Sequence, residues 1–152
     1  MEIHSTAFSP GGAIPVRFTA DGDDISPAIS WQSLPAGTKE LALIVDDPDA
    51  PTPKPWVHWV IYKIPATANG LPEKISASAT FAKTLQGKNS WNTIGYRGPQ
   101  PPRGHGVHHY HFKLYALGSE LTAQAGLDKD GLLKLLSGHT LTSAELIGTY
   151  QR

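Results

Sequence analysis

Two apolar runs of strand length, Leu41-Ala42-Leu43-Ile44-Val45 and Val57 to Ile64, set the tightest limit on how this chain can fold. Both are apolar at nearly every position instead of at every second one. A strand with that pattern must be covered on both faces or lie inside a sandwich. A buried helix could carry the same run, but the β-branched and aromatic content opposes one, as do the flanking prolines Pro48, Pro51, Pro55 and Pro65.

The rest of the chain is punctuated like a β protein. Its 15 glycines and 13 prolines are spread throughout, as short strands joined by tight turns require. The pattern predicts strands over Arg17–Thr19, Ala28–Trp31, Glu40–Asp46, Val57–Ile64 and Tyr110–Leu117, with Thr67–Gln86 as an irregular excursion. Asp128 is placed to cap a helix running through Leu136, which Gly138 would end. Thr142-Ser143-Ala144-Glu145 has capping-box spacing and predicts a last short helix. The expectation is one mainly β domain over residues 1–152 with a few short helices, mostly C-terminal.

Composition narrows the function classes. Thirteen Lys and Arg balance thirteen Asp and Glu, so no basic surface for nucleic acid is expected. Cysteine is absent, which removes thiolate nucleophiles, thiolate metal ligands and disulfides. Met1-Glu2-Ile3-His4-Ser5 is not a basic stretch leading into an apolar one, and no run approaches the roughly 20 apolar residues that span a bilayer. A soluble, cytoplasmic protein is the expectation.

Three segments carry the unusual chemistry. The first apolar run ends in Asp46-Asp47-Pro48-Asp49-Ala50-Pro51, His58 interrupts the second, and GPQPPRGHGVHHY spans Gly98 to Tyr110. Strand alternation puts Asp47 on the face of Leu41, Leu43 and Val45, and His58 with Trp56, Val60, Tyr62 and Ile64. It sets His108 and Tyr110 inward with Phe112 and Leu114, and His109 and His111 outward. Asp49 is the better candidate for shaping the turn. Pro101 and Pro102 stiffen a loop able to wall a pocket.

A metal site could be drawn from Asp47, His58 and His108, or from His109 with His111. No HExxH or comparable ligand spacing supports either, and neither a metal nor another cofactor is expected. A P-loop and a GxSxG nucleophile elbow are also missing.

Asp47-Pro48-Asp49-Ala50-Pro51, His58 and the Gly98–Tyr110 segment together resemble the phosphatidylethanolamine-binding protein family, also called Raf-kinase-inhibitor-like proteins. Ile14-Pro15-Val16-Arg17-Phe18, Asp21 to Pro27, Trp31 and Glu145 to Tyr150 resemble its bacterial branch. The resemblance implies an antiparallel β-sandwich with a small anion-accepting pocket at one end. It implies that Asp47, His58, His108 and Tyr110 line that pocket, with Pro51, Pro101 and Pro102 in its wall. Gly98-Pro99-Gln100-Pro101-Pro102 departs from the unbroken Gly-Pro-Pro of eukaryotic members, so no contact is carried over for Gly98.

Phosphate or phosphoethanolamine is the expected ligand, bound without catalysis in a regulatory module. One alternative is a phosphoester hydrolase using Asp47 with His58 or His108. Another is a kinase-regulating interaction module with a protein partner, and a homodimer is left open. Asp47 beside an imidazole would favour the protonated ring, which then donates to an anion.

Overall fold

β3 (Glu40–Asp47) and β4 (Trp56–Pro65), which contain the two apolar runs, are neighbours at the centre of the larger of two sheets. The computed structural model describes residues 1–152. The large sheet is antiparallel, in the order β6-β7-β4-β3-β8-β9. Its other strands are β6 (Thr80–Phe81), β7 (Thr84–Gln86), β8 (His108–Leu117) and β9 (Thr140–Tyr150). β1 (Glu2–His4), β2 (Ile29–Gln32) and β5 (Gly70–Leu71) form a second antiparallel sheet in the order β1-β2-β5.

Coverage on both faces explains the continuous apolar runs. Leu41, Leu43 and Val45 of β3 meet Ile3, Ile29, Trp31 and Leu71 in the core between the sheets. Ala42 and Ile44 face the other way, with Val60 and Tyr62 of β4, and pack under Leu132 and Leu136 of α1 (Lys129–Leu136). Asp128 caps α1 as expected, its Oδ1 accepting from the Gly131 N–H at 2.8 Å.

The second C-terminal helix does not exist. Thr142-Ser143-Ala144-Glu145 lies within β9, which pairs with β8 from His108↔Tyr150 to Leu117↔Thr140. Capping spacing is a local signal, and here it loses to a full-length strand partner. Leu146 is buried in the core, with Ala144 and Tyr150 packed against it from the same face.

Arg17–Thr19 is not a strand either. Val16–Phe18 forms a single 3₁₀ turn behind Pro15, whose φ of −58° already suits it. The Thr19 N–H and hydroxyl both bond the Val16 carbonyl, at 2.9 and 2.8 Å, and Phe18 is buried. The Thr67–Gln86 excursion is largely irregular but contains the short strands β5, β6 and β7.

A β-bulge changes the facing of β4. Val45 pairs with Trp59 and Asp46 with Val57, so His58 is the extra residue. Trp59 and Ile61 consequently lie in the inter-sheet core, while Val57, Val60 and Tyr62 face α1. The expectation that His58 shares a face with Val60 and Tyr62 is therefore corrected. A second shift, between Leu41 and Leu43, coincides with a left-handed φ of 55° at Lys63 and returns Ile64 to the core.

Candidate functional site

The ends of β3, β4 and β8 meet the loop after Trp91 around a cavity of about 240 Å³. Asp47, Pro51, His58, Pro101, Pro102, His108 and Tyr110 all line it. Trp56, Trp91 and Gln100 contribute as well. A larger cleft of about 620 Å³ beside α1 includes Lys54 and Lys129, but Lys54 pairs with Asp130 and Lys129 with Asp46. Only the smaller cavity gathers buried ionisable groups.

Asp47 and His108 sit at its base, 3% and 1% exposed. His108 Nδ1 lies 2.7 Å from Asp47 Oδ2, and because a carboxylate can only accept, that nitrogen carries the proton. Asp47 Oδ1 takes the Asp49 N–H at 2.8 Å, so Asp47 itself shapes the turn into the next segment. Asp49, expected to do so, instead reaches across to β8. Its Oδ2 accepts from the His109 backbone N–H at 2.8 Å and from the His109 ring at 2.7 Å. Burial pushes the Asp49 carboxyl up, but these two bonds outweigh it and hold it below its usual range.

His58 is 3% exposed. Its Nδ1 donates to the Arg97 carbonyl at 2.6 Å, which leaves Nε2 as the other ring nitrogen. Burial pulls its pKa below the ordinary 6.5 despite the Arg97 carbonyl and the charge of Asp47. The ring stands edge-on to Tyr110 and to Trp91, each with centroids 5.1 Å away. Trp91 in turn packs perpendicular to Trp56 at 5.4 Å and lies under the Arg97 guanidinium at 4.7 Å.

Tyr110 is the odd member. Its hydroxyl is the buried side-chain polar atom that finds no hydrogen-bond partner in the protein. Burial, reinforced by Asp47, pushes its pKa up, so the group remains an O–H donor.

The proline loop is held from behind. The Gly98 N–H donates to Asp24 Oδ1 at 2.7 Å, and the Pro99 carbonyl accepts from the Ala20 N–H at 3.0 Å. A Cβ at Gly98 would stand 2.2 Å from the Phe18 carbonyl oxygen, so only glycine fits. Gly98 thus anchors the wall to the 3₁₀ turn.

His109 and His111 do not converge as paired ligands. His109 is held by Asp49, and His111 lies 3.2 Å from Glu145. Trp91 and His105 were missed by sequence reasoning. Trp91 lies outside any apolar run, and His105 falls on no strand whose alternation could aim it. Yet His105 Nδ1 lies 2.6 Å from His108 Nε2, extending the Asp47–His108 pair to the surface.

The two sheets, with a polar cavity at the strand ends of the larger one, define the class as an antiparallel β-sandwich. The phosphatidylethanolamine-binding protein family model matches residues 4–151, and the chain belongs to that family. A UPF0098 protein of Methanothermobacter thermautotrophicus is 46% identical over 153 residues, covering 100% of this chain and 99% of that one. The crystal structure of a phosphatidylethanolamine-binding protein homologue from Chlamydia trachomatis superposes with a TM-score of 0.91 at 37% identity, covering 99% of this chain and 97% of its own. E. coli YbcL, described as a member of the mammalian family, gives 0.92 at 29% identity, covering 99% and 98%. No helix is long and apolar enough to cross a membrane.

Proposed function

We propose that the cavity binds a small anion, either inorganic phosphate or the phosphate of a headgroup such as phosphoethanolamine. The observation that carries this reading is the Tyr110 hydroxyl, a buried donor without a partner on a cavity also lined by His58 and His108. Leaving such a donor unpaired costs about 1–3 kcal/mol, which an acceptor-rich ligand would recover.

Asp47 looks misplaced beside an anion, but both its oxygens are already engaged, one by the Asp49 N–H and one by His108. Its charge is met by these two donors instead of facing the ligand unpaired. His58 can offer Nε2–H to an anion only once protonated, because Nδ1–H is spent on Arg97. Binding should therefore take up a proton and strengthen as pH falls. The regulatory role suggested by family membership would run through occupancy of this cavity.

Calorimetric titration with sulfate tests this, since sulfate stays a dianion across the range and its pH dependence reports on the protein alone. Affinity should rise roughly tenfold from about pH 8 to about pH 6. Affinity flat or rising with pH would contradict the mechanism.

A further inference from the structure

Both ring nitrogens of His108 are already committed, Nδ1 to Asp47 at 2.7 Å and Nε2 to His105 at 2.6 Å. A buried imidazole that lines a ligand cavity but has no free nitrogen cannot bond a ligand as it stands. We propose that His105 is a positioning residue of the cavity: it withholds His108 Nε2 while the two rings share one proton, and releases it when both are protonated. This rests on the anion reading above.

The reasoning is proton counting. Two ring nitrogens in contact at 2.6 Å hold one proton between them. With the pair neutral or singly protonated, that condition is met. When both rings are imidazolium, two N–H groups face each other and the contact must open. His108 stays where it is, buried and bonded to Asp47, while His105 leaves for solvent. The Nε2–H of a cationic His108, itself a residue lining the cavity, is then left without a protein partner.

The chain around His105 is built to allow this. Residues 102–107 are exposed, and Gly104 and Gly106 flank His105 with φ of +73° and +89°. A Cβ at either glycine would meet nothing within 4 Å, so the backbone on both sides of His105 has open space to move into. Its backbone restraints are two long bonds, His105 N–H to the Pro102 carbonyl at 3.2 Å and Gly104 N–H to the Arg152 carbonyl at 3.3 Å.

The charged surroundings come from several elements. Asp47 and Asp49 supply carboxylates from β3 and its turn, and Asp49 is already bonded to His109 of β8. His58 of β4 and Tyr110 of β8 line the cavity. Arg103 is in the same loop, and Arg152, beyond β9 and its Tyr150, is paired with Asp21 at 2.5 Å. His105, unlike the buried rings of His58 and His108, has solvent to move into.

Histidine-ring and amide NMR, from about pH 8 to about pH 5 without any anion, should show the Gly104 and Gly106 amides moving with the His105 and His108 rings. In His105→Ala a single proton on His108 gives an unblocked Nε2–H, where the wild type needs both rings protonated, so sulfate should bind about fivefold more tightly near pH 7.5, with a shallower pH profile. The proposal is overturned if the sulfate profiles of wild type and His105→Ala coincide, or if the glycine amides stay still while the rings titrate. Loop resonances that move in a protein binding no sulfate would support the release of His105 and refute the anion reading alone.

Discussion

Asp47 and His108 are 61 residues apart in sequence and 2.7 Å apart in space, both almost completely buried. β3 and β8 are adjacent antiparallel strands, and Asp46↔His111 is the last register pair before their ends diverge into the cavity. The pair thus exists because two core strands end together. Removing one member leaves the other buried without its partner.

Asp47→Asn keeps the side-chain shape and can still accept from the Asp49 N–H, but it loses the charge next to His108. Stability should fall by about 1–3 kcal/mol, the cost of leaving the buried His108 Nδ1–H without its carboxylate acceptor. Urea unfolding at neutral pH measures this. A loss below 0.5 kcal/mol would mean the pair is not held as described.

Tyr110→Phe separates function from structure. The hydroxyl satisfies nothing in the empty protein, so its removal should leave stability unchanged or raise it by about 1 kcal/mol. Sulfate affinity should fall about tenfold, the worth of one hydrogen bond to a charged group. Thermal melts with and without sulfate check both halves.

His58 makes stability depend on pH. Burial lowers its folded pKa below 6.5, so in the window beneath that value the unfolded chain binds the proton more readily. Stability is then complete above about pH 6.5 and is lost as pH falls through that window. His58→Gln should flatten this part of the profile, and sulfate should offset the loss in wild type. Equal slopes for the two proteins between about pH 5 and about pH 6.5 would sink the assignment.

Gly98→Ala forces a Cβ to within 2.2 Å of the Phe18 carbonyl oxygen. Because this contact ties the proline loop to the 3₁₀ turn, a loss of about 2–4 kcal/mol is expected, together with weaker anion binding. Ala at Gly104, where nothing is close, is the control for a general glycine effect, although its positive φ will cost about 1 kcal/mol.

Much of the large sheet was legible because burial on both faces leaves a continuous apolar signature at Leu41–Val45 and Val57–Ile64. The inward set of His108 and Tyr110 followed from simple alternation, and so did that of Asp47. His58 did not, because a bulge is one extra residue and leaves no mark in hydrophobic pattern. β9 was misread since Thr142-Ser143-Ala144-Glu145 satisfies a local rule that pairing with β8 overrides. His105 was invisible for a different reason. Its role depends on a glycine-flanked loop folding back onto His108, which no periodicity encodes.

A crystal grown with selenate locates the bound anion directly through anomalous scattering. The peak should fall inside the cavity, within hydrogen-bond distance of Tyr110 Oη and facing His58 Nε2. A cavity without selenate in crystals that hold the ion elsewhere, or one filled by a cationic molecule against Trp56 and Trp91, would contradict anion binding at this site.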